Sequence, residues 1–261
     1  MTPPLDTLLE GLDATHRRVG VLLAELPADA WARTVPATPA WTVADVVSHL
    51  ASGDQAALAT MQGRLDQDKA PPVVPLDDWT AAGVAAHAGE PPEGRVADWE
   101  AAADALRWHL ATLDGDGWRA RVPWVVGPIA VRTVAQLRLQ EAWVHGHDLA
   151  EAVGAGFEAD PTSLAWMADI AAKVIPGSLS RRGRPHPGAV IRVRLGDQGE
   201  WLLAGALGER PAPDATPDLT IEAEPLAFVL RAAGRTDGQP WHAEGDQALA
   251  ADVATTLSSV S

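Results

Sequence analysis

The sequence predicts an α+β protein in which a helical bundle is followed by a small α/β domain. Apolar residues recur at helical spacing through the first two thirds of the 261 residues, and near the C-terminus the apolar pattern changes to a period of two. A stretch rich in Pro, Gly and Arg, residues 176–187, separates the two patterns. We therefore expect two domains, residues 1–175 and residues 186–261.

The first two helices are predicted from apolar spacing and from the residues that end or cap them. Leucine and valine recur at helical spacing over residues 5–23, and Pro27 closes that segment. Thr42 is a natural N-cap for the second helix, and Asp45 stands where a capping box places its acid. This second helix is predicted to run to about Leu65.

The rest of the helical domain combines an irregular segment with further helices. Residues 66–94 carry several prolines, so we expect an irregular excursion there. A third helix is predicted over residues 96–113, where an Asp-Gly-Asp-Gly run ends it. The longest amphipathic pattern covers residues 133–154, and another helix is predicted over residues 161–174. Such an element order is typical of an up-and-down bundle of four or five helices.

The C-terminal domain is predicted from alternating apolar residues and a turn signal. Residues 190–195 alternate with period two, and the Gly-Asp-Gln-Gly turn at residues 196–199 leads into a return strand, which predicts a β-hairpin. A third strand is predicted over residues 218–223. Two helices, over residues 224–233 and 246–257, complete a small α+β domain.

The composition is that of a globular protein with an excess of acidic side chains. Apolar residues make up 47% of the chain, and the formal net charge is −15, which disfavours nucleic acid and anionic membranes as partners. Cysteine and tyrosine are absent, which excludes disulfides, thiolate ligands and a cysteine or tyrosine nucleophile within the chain. Without a signal-like N-terminus or a long apolar run, we expect a cytoplasmic location. We also expect a monomer or weak homodimer.

The strongest constellation of reactive residues is His49 with Glu141 and His145. Glu141 and His145 are four residues apart, so they share one face of the fourth helix, and the apolar pattern of the second helix turns His49 inward. Two imidazoles and one carboxylate suit a catalytic zinc site, which keeps one position open. Spacing alone leaves two other interpretations: a solvated Glu–His pair, and a core histidine that binds no metal.

Other polar residues on the fourth helix could serve such a site. Asp148 lies three residues after His145 and could orient that histidine or a metal-bound water, or could pack as an ordinary carboxylate. Arg138 lies three residues before Glu141 and could orient that carboxylate, bind an anionic substrate, or form a surface ion pair of little energetic weight.

Two segments resemble a known family. Residues 39–50 read PAWTVADVVSHL, similar to the second-helix signature of the DinB-like, mycothiol-dependent maleylpyruvate isomerase family. Residues 138–150 read RLQEAWVHGHDLA, similar to that family's R-x-x-E-x-x-x-H-x-x-D motif. Residues 230–235 and 244–246 resemble the Gly-Arg and Gly-Asp elements of its sterol-carrier-like domain.

The resemblance implies a fold and a set of site residues. The fold would be a DinB-like four-helix bundle that binds metal, followed by a small sterol-carrier-like domain. Its metal ligands carry over onto His49, Glu141 and His145, with zinc as the expected divalent metal and mycothiol as the co-substrate. An arginine of the second domain would bind the substrate's carboxylate, and Arg235 is the best-matching position, with Arg231 competing for the role.

The sequence therefore predicts a metal-dependent enzyme that activates mycothiol, either for isomerisation or for S-transfer on a small electrophilic substrate. In an isomerase the thiolate would add to a conjugated double bond, permit rotation and leave; in a transferase it would stay attached. Two alternatives remain open at this point. One is a metal enzyme of specialised metabolism that uses no thiol, and the other is a small-ligand-binding protein with a structural metal.

Overall fold

Long helices occupy the first of two compact units, which comprises Leu5–Ser163. The computed structural model describes residues 3–71, 73–125, 127–235 and 241–257. The helices of this unit are α1 (Asp6–Ala24), α2 (Val43–Met61), α3 (Leu76–Ala85), α4 (Pro92–Ala111), α5 (Gly115–Arg119) and α6 (Val131–Val153). Its short strands form two antiparallel pairs, β1 (Thr34–Val35) with β2 (Thr38–Thr42) and β3 (Arg121–Val122) with β4 (Ile129–Ala130).

Four of these helices form the core of the first unit. Helix α1 packs against α4 and α6, and α2 packs against the same two helices. Leucines at the contacts, such as Leu12, Leu50, Leu106 and Leu139, are fully buried. Burying one such side chain stabilises the fold by roughly 2 kcal/mol relative to leaving it exposed. The packing fixes α2 beside α6, the two helices that carry the predicted ligands.

A capping box begins α2 as predicted, and a glycine ends α6. The Thr42 hydroxyl accepts a hydrogen bond from the Asp45 backbone N–H at 3.3 Å, and the Asp45 carboxylate accepts one from the Thr42 N–H at 3.0 Å, so the predicted capping box is confirmed. Helix α6 stops at Gly154, whose φ of 76° is in the left-handed region that glycine adopts without strain.

Two parts of the first unit differ from the prediction. The excursion at residues 66–94 contains α3, which the sequence does not signal because none of its residues is buried. Packing on α2 holds this helix, where the Ser52 hydroxyl donates to the Gly83 carbonyl at 3.0 Å. The Asp-Gly-Asp-Gly run at residues 114–117, predicted only to end a helix, also begins α5. The Asp114 carboxylate caps this helix by accepting hydrogen bonds from the N–H groups of Asp116 and Gly117.

The second unit comprises Leu164–Ser261 with the residues before Leu5. Helix α7 (Pro161–Lys173) runs into it, and the later elements are α8 (Ile175–Arg181), β5 (Val190–Leu195), β6 (Gly199–Ala204), β7 (Leu219–Glu222), α9 (Pro225–Ala232), β8 (His242–Gly245) and α10 (Gln247–Leu257). The sheet order is β6-β5-β7-β8, in which β5 is antiparallel to β6 and parallel to β7, and β7 is antiparallel to β8. The predicted hairpin and third strand are confirmed, as is the α+β class; β8 is an additional strand.

The division between the units falls earlier than the composition change in the sequence. The predicted linker at residues 176–187 contains most of α8, which packs against α10. In addition, the Trp201 indole N–H donates to the Asp169 carboxylate at 2.9 Å, which ties α7 to β6. These contacts place the chain from Leu164 onward in the second unit, so its limits differ from the predicted residues 1–175 and 186–261.

No helix within the described ranges is both long enough and apolar enough to cross a lipid bilayer.

Candidate metal centre

Three side chains converge between α2 and α6. The Nε2 atom of His49 lies 3.3 Å from Oε2 of Glu141, and the Nε2 atom of His145 lies 3.5 Å from the same oxygen. The ligand atoms of the three residues all lie within 4.8 Å of one another. The structure thus brings together the three residues that the sequence resemblance assigns as metal ligands. We call them the His49 cluster.

The geometry of α6 places Glu141 beside His145, and the packing of α2 on α6 adds His49. Glu141 and His145 are one turn apart on α6, so their side chains leave the same face. His49 joins them because α2 packs on α6 with Val46 and Leu50 buried on either side of it. The ring of Trp41, from the residue before the α2 cap, lies 5.0 Å from the His49 ring and 6.5 Å from the His145 ring, between centroids. Trp41 lies in the resembling motif, but sequence reasoning did not assign it to the site.

The carboxylate is the most accessible member of the His49 cluster. The Glu141 side chain is 43% exposed, whereas the His49 and His145 side chains are 16% and 8% exposed. The imidazoles are therefore held in place by protein, and the Glu141 side of the cluster is reachable by a molecule from solvent. This is the arrangement that a site with an open coordination position requires.

The protonation states follow from burial and from mutual hydrogen bonding. The protein around the partly exposed Glu141 carboxylate removes some of its water and by itself would raise the pKa, but hydrogen bonds from His145 and His49 bring that pKa well below its ordinary value. Burial lowers the pKa of His49, against the opposing effect of Glu141. For His145, burial would lower the pKa, but hydrogen bonds with Asp148 and Glu141 raise it. The cluster therefore holds an ionised carboxylate beside one imidazole that burial keeps neutral.

The spacing and the donor types of the cluster fit a divalent metal. Metal–ligand bonds of about 2.1 Å at tetrahedral angles separate neighbouring donor atoms by roughly 3.4 Å. The observed separations of 3.3 and 3.5 Å bracket that value. Two nitrogens and one oxygen suit zinc, and the same donors also bind nickel, cobalt, manganese or iron.

Asp148 contacts the ring nitrogen of His145 that does not face Glu141. Its carboxylate is buried, and its Oδ2 atom lies 3.1 Å from Nδ1 of His145. The hydrogen bond between Nδ1 and Asp148 fixes the ring so that Nε2 faces Glu141, and Nε2 is then the nitrogen that would bind a metal after losing its own proton. The structure therefore places Asp148 where it can orient a ligand histidine, which is one of the two roles that the sequence suggested.

Replacing Asp148 with asparagine is expected to lower zinc affinity by about 10- to 100-fold, because the amide holds the His145 ring less firmly and makes it a weaker ligand. Competition with a chromogenic chelator measures this change. Glu151→Gln, on an exposed position of the same helix, is the matched control and should leave the affinity unchanged. Equal affinities for parent and Asp148→Asn would show that Asp148 only packs.

Arg138 does not lie where the sequence suggested. Its side chain is 4% exposed, and its Nε atom donates to Oδ1 of the fully buried Asp54 at 2.8 Å. Gly53 makes room for the guanidinium, because a β-carbon there would lie 2.5 Å from Nη1 of Arg138. The prediction of a surface ion pair is therefore wrong: the arginine is an internal partner of Asp54, joining α2 to α6. Its roles in orienting Glu141 and in binding an anionic substrate stay predictions.

The same buried region contains His16. Its Nε2 atom lies 3.7 Å from Oδ2 of Asp54, and burial lowers the pKa of His16 to about 4, against the attraction of Asp54. His16 is therefore neutral near pH 7, and the positive charge beside Asp54 comes from Arg138.

The two candidate arginines of the C-terminal half lie in the second unit. Arg231, on α9, has its guanidinium carbon 5.3 Å from the centre of the Trp241 ring, a cation–π arrangement. Arg235 follows α9, and its guanidinium donates to the Ala233 carbonyl. Their assignment to substrate binding stays a prediction.

Comparison with known proteins identifies related chains. Residues 12–150, more than half of the chain, match the family model described as the mycothiol maleylpyruvate isomerase N-terminal domain. The matched stretch contains the whole His49 cluster and Asp148. Two uncharacterized proteins of Mycobacterium tuberculosis are each 33% identical over 149 residues, which is 55% of this chain and 55% of each relative. The chain thus spans about half the length of the curated relatives it matches.

Two solved structures share the fold. The crystal structure of the mycothiol-dependent maleylpyruvate isomerase aligns with a TM-score of 0.65 over 94% of this chain and 95% of that chain, at 16% identity. A histidine-to-alanine mutant of that isomerase aligns with a TM-score of 0.64 at the same coverage and identity. At this level of identity the similarity concerns the fold, and it extends over nearly the entire chain.

Proposed function

Because the chain belongs to the family of mycothiol maleylpyruvate isomerase N-terminal domains, we propose that it is a metal-dependent enzyme that activates a low-molecular-weight thiol, mycothiol, for isomerisation or S-transfer. The substrate would be a small electrophile that carries a carboxylate. One observation carries the proposal: the nitrogens of two histidines from separate helices face a single oxygen of Glu141. A free thiol co-substrate fits the reducing cytoplasm expected from the sequence.

His49, Glu141 and His145 would hold the metal, with zinc as the expected ion. A divalent cation at such a site lowers the pKa of a thiol bound to it, which makes the nucleophilic thiolate available near neutral pH. The chain's own residues prepare the donors: the low pKa of Glu141 keeps its carboxylate ionised, and Asp148 fixes the orientation of the His145 ring. The Trp41 ring lies beside both histidine rings.

The two candidate reactions differ in the fate of the new carbon–sulfur bond. In isomerisation, the thiolate sulfur adds to one carbon of a conjugated double bond, and the electron pair moves into the conjugated carbonyl. Rotation about the resulting single bond follows, and expulsion of the thiolate then restores the double bond in its new geometry. In S-transfer the carbon–sulfur bond remains. We also propose Arg235, with Arg231 as the alternative, as the residue that binds the substrate carboxylate.

An assay that varies the thiol and the metal separately tests the proposal. With a cis-configured conjugated dicarboxylate such as maleylpyruvate, we expect omission of mycothiol or of zinc to lower kcat/KM by about 100-fold or more, equivalent to roughly 2.7 kcal/mol. Turnover that needs zinc but is indifferent to mycothiol would favour thiol-independent metal chemistry. Ligand binding without turnover, retained after chelation of the metal, would instead favour a binding protein with a structural metal.

A further inference from the structure

A second group of nitrogen and oxygen donors lies in the first unit. Nδ1 of His87 is 3.0 Å from Oε2 of Glu90 and 3.4 Å from Oδ2 of Asp98. The three donor atoms lie within 4.8 Å of one another. We call these residues the His87 cluster; it shares no residue with the His49 cluster.

Local backbone geometry forms the His87 cluster. His87 and Glu90 belong to the turn between α3 and α4, where the Glu90 N–H donates to the His87 carbonyl at 3.2 Å. Gly89, with φ of 83°, supplies the left-handed residue that reverses the chain inside this turn. Asp98, two turns into α4, then faces the same imidazole nitrogen as Glu90.

The two carboxylates of the His87 cluster, Glu90 and Asp98, favour a bound cation. One ring nitrogen carries at most one proton, yet two carboxylate oxygens face it, so a single N–H would be shared between two anions, whereas a divalent ion can bind all three donors. The imidazole is fixed, with 10% of its side chain exposed, whereas the Asp98 side chain is 49% exposed and leaves room for water ligands. Donor separations of 3.0 and 3.4 Å correspond to bonds of about 2.1 Å at angles between roughly 90° and 109°.

We propose that His87, Glu90 and Asp98 bind a second divalent transition-metal ion, of the zinc class, at a site separate from the His49 cluster. One imidazole and two carboxylates form a donor set that zinc, manganese and nickel accept. The net charge of −15 further favours cation binding.

A cation at this position would stabilise the segment that joins α3 to α4. Arg95, which is buried, donates from Nε to the Glu90 carbonyl at 3.3 Å and from Nη1 to the Ser48 hydroxyl at 2.7 Å. Ser48 directly precedes His49 on α2. The turn that holds the proposed ion is therefore connected, through a single guanidinium, to the helix that presents the first ligand of the His49 cluster.

Metal stoichiometry in four purified proteins tests this proposal. After equilibrium dialysis against micromolar zinc and elemental analysis, we expect about two equivalents in the parent and about one in either Asp98→Asn or Glu141→Ala. Asp98→Asn removes one ligand from a half-exposed position, so the fold should persist, as circular dichroism would verify. Asp104→Asn, an exposed aspartate on the same helix, is the matched control and should keep both equivalents.

The outcomes separate this proposal from the proposed function. One equivalent in the parent that Asp98→Asn retains and Glu141→Ala loses would overturn the second site and leave the His49 cluster as the metal site. One equivalent that Asp98→Asn loses and Glu141→Ala retains would support the His87 cluster and contradict the proposed function. Equal zinc in all four proteins would overturn both assignments.

Discussion

Replacing Glu141 with alanine is expected to remove zinc from the His49 cluster and to abolish thiol-dependent turnover. Glu141 is the only carboxylate that the structure places against both histidines within the described residues, with one oxygen 3.3 and 3.5 Å from their Nε2 atoms. Zinc binding at four-ligand structural sites amounts to about 10–16 kcal/mol, so the loss of one ligand costs roughly 3 kcal/mol, or at least about 100-fold in affinity. Chelator competition and elemental analysis measure the loss.

The fold of the Glu141→Ala variant should survive, because the glutamate side chain is partly exposed and fills no core position. Glu141→Gln provides a graded comparison: it keeps the size of the side chain but replaces the anionic donor with a neutral one, so an intermediate affinity is expected. Unchanged zinc binding in a folded Glu141→Ala protein would exclude Glu141 as a ligand. Failure of the parent to take up zinc during reconstitution would remove the basis of the mechanism.

The sequence could predict those parts of the site that depend on a single helix. The relation of Glu141 to His145 follows from their spacing on α6, and the relation of His145 to Asp148 follows in the same way. His49 is separated from Glu141 by 92 residues, so its place in the cluster depends on how α2 packs against α6. Periodicity does not contain that information, and only the family resemblance supplied the pairing.

The features that sequence analysis missed are those decided by tertiary contacts. Helix α3 has no buried face to give a periodic signal, and contact with α2 holds it. Strand β8 is mostly exposed and pairs only with β7 in the described sheet, so alternation does not reveal it. Arg138 has the sequence neighbourhood of a surface residue, but its partner Asp54 lies 84 residues away and removes it from solvent.

Replacing Arg138 with alanine is expected to destabilise the first unit by about 3–5 kcal/mol, because it leaves the buried Asp54 carboxylate without its cation. In the parent, burial is the largest cause that lowers the pKa of His16, and that burial remains in the variant, so His16 does not replace the full charge of Arg138. Proteins are stable by only about 5–15 kcal/mol, so a shift of this size should appear as a clear fall in the urea midpoint. Arg119→Ala, which breaks an exposed arginine–aspartate pair, is the control and should cost less than about 1 kcal/mol.

A double replacement distinguishes the cost of an unpaired charge from the cost of lost packing. In Asp54→Leu with Arg138→Met, no charge is left buried and the volumes are similar, so much of the stability lost in Arg138→Ala should return. If the double variant is as unstable as the single one, the arginine acts mainly through the packing of its aliphatic stem. Because the pair joins α2 to α6, zinc affinity should follow the same order as stability: lowest in Arg138→Ala, partly restored in the double variant, and unchanged in Arg119→Ala.

A parent-like urea midpoint for Arg138→Ala would show that solvent reaches Asp54. The buried pair would then contribute no more to stability than the exposed Arg119–Asp116 pair.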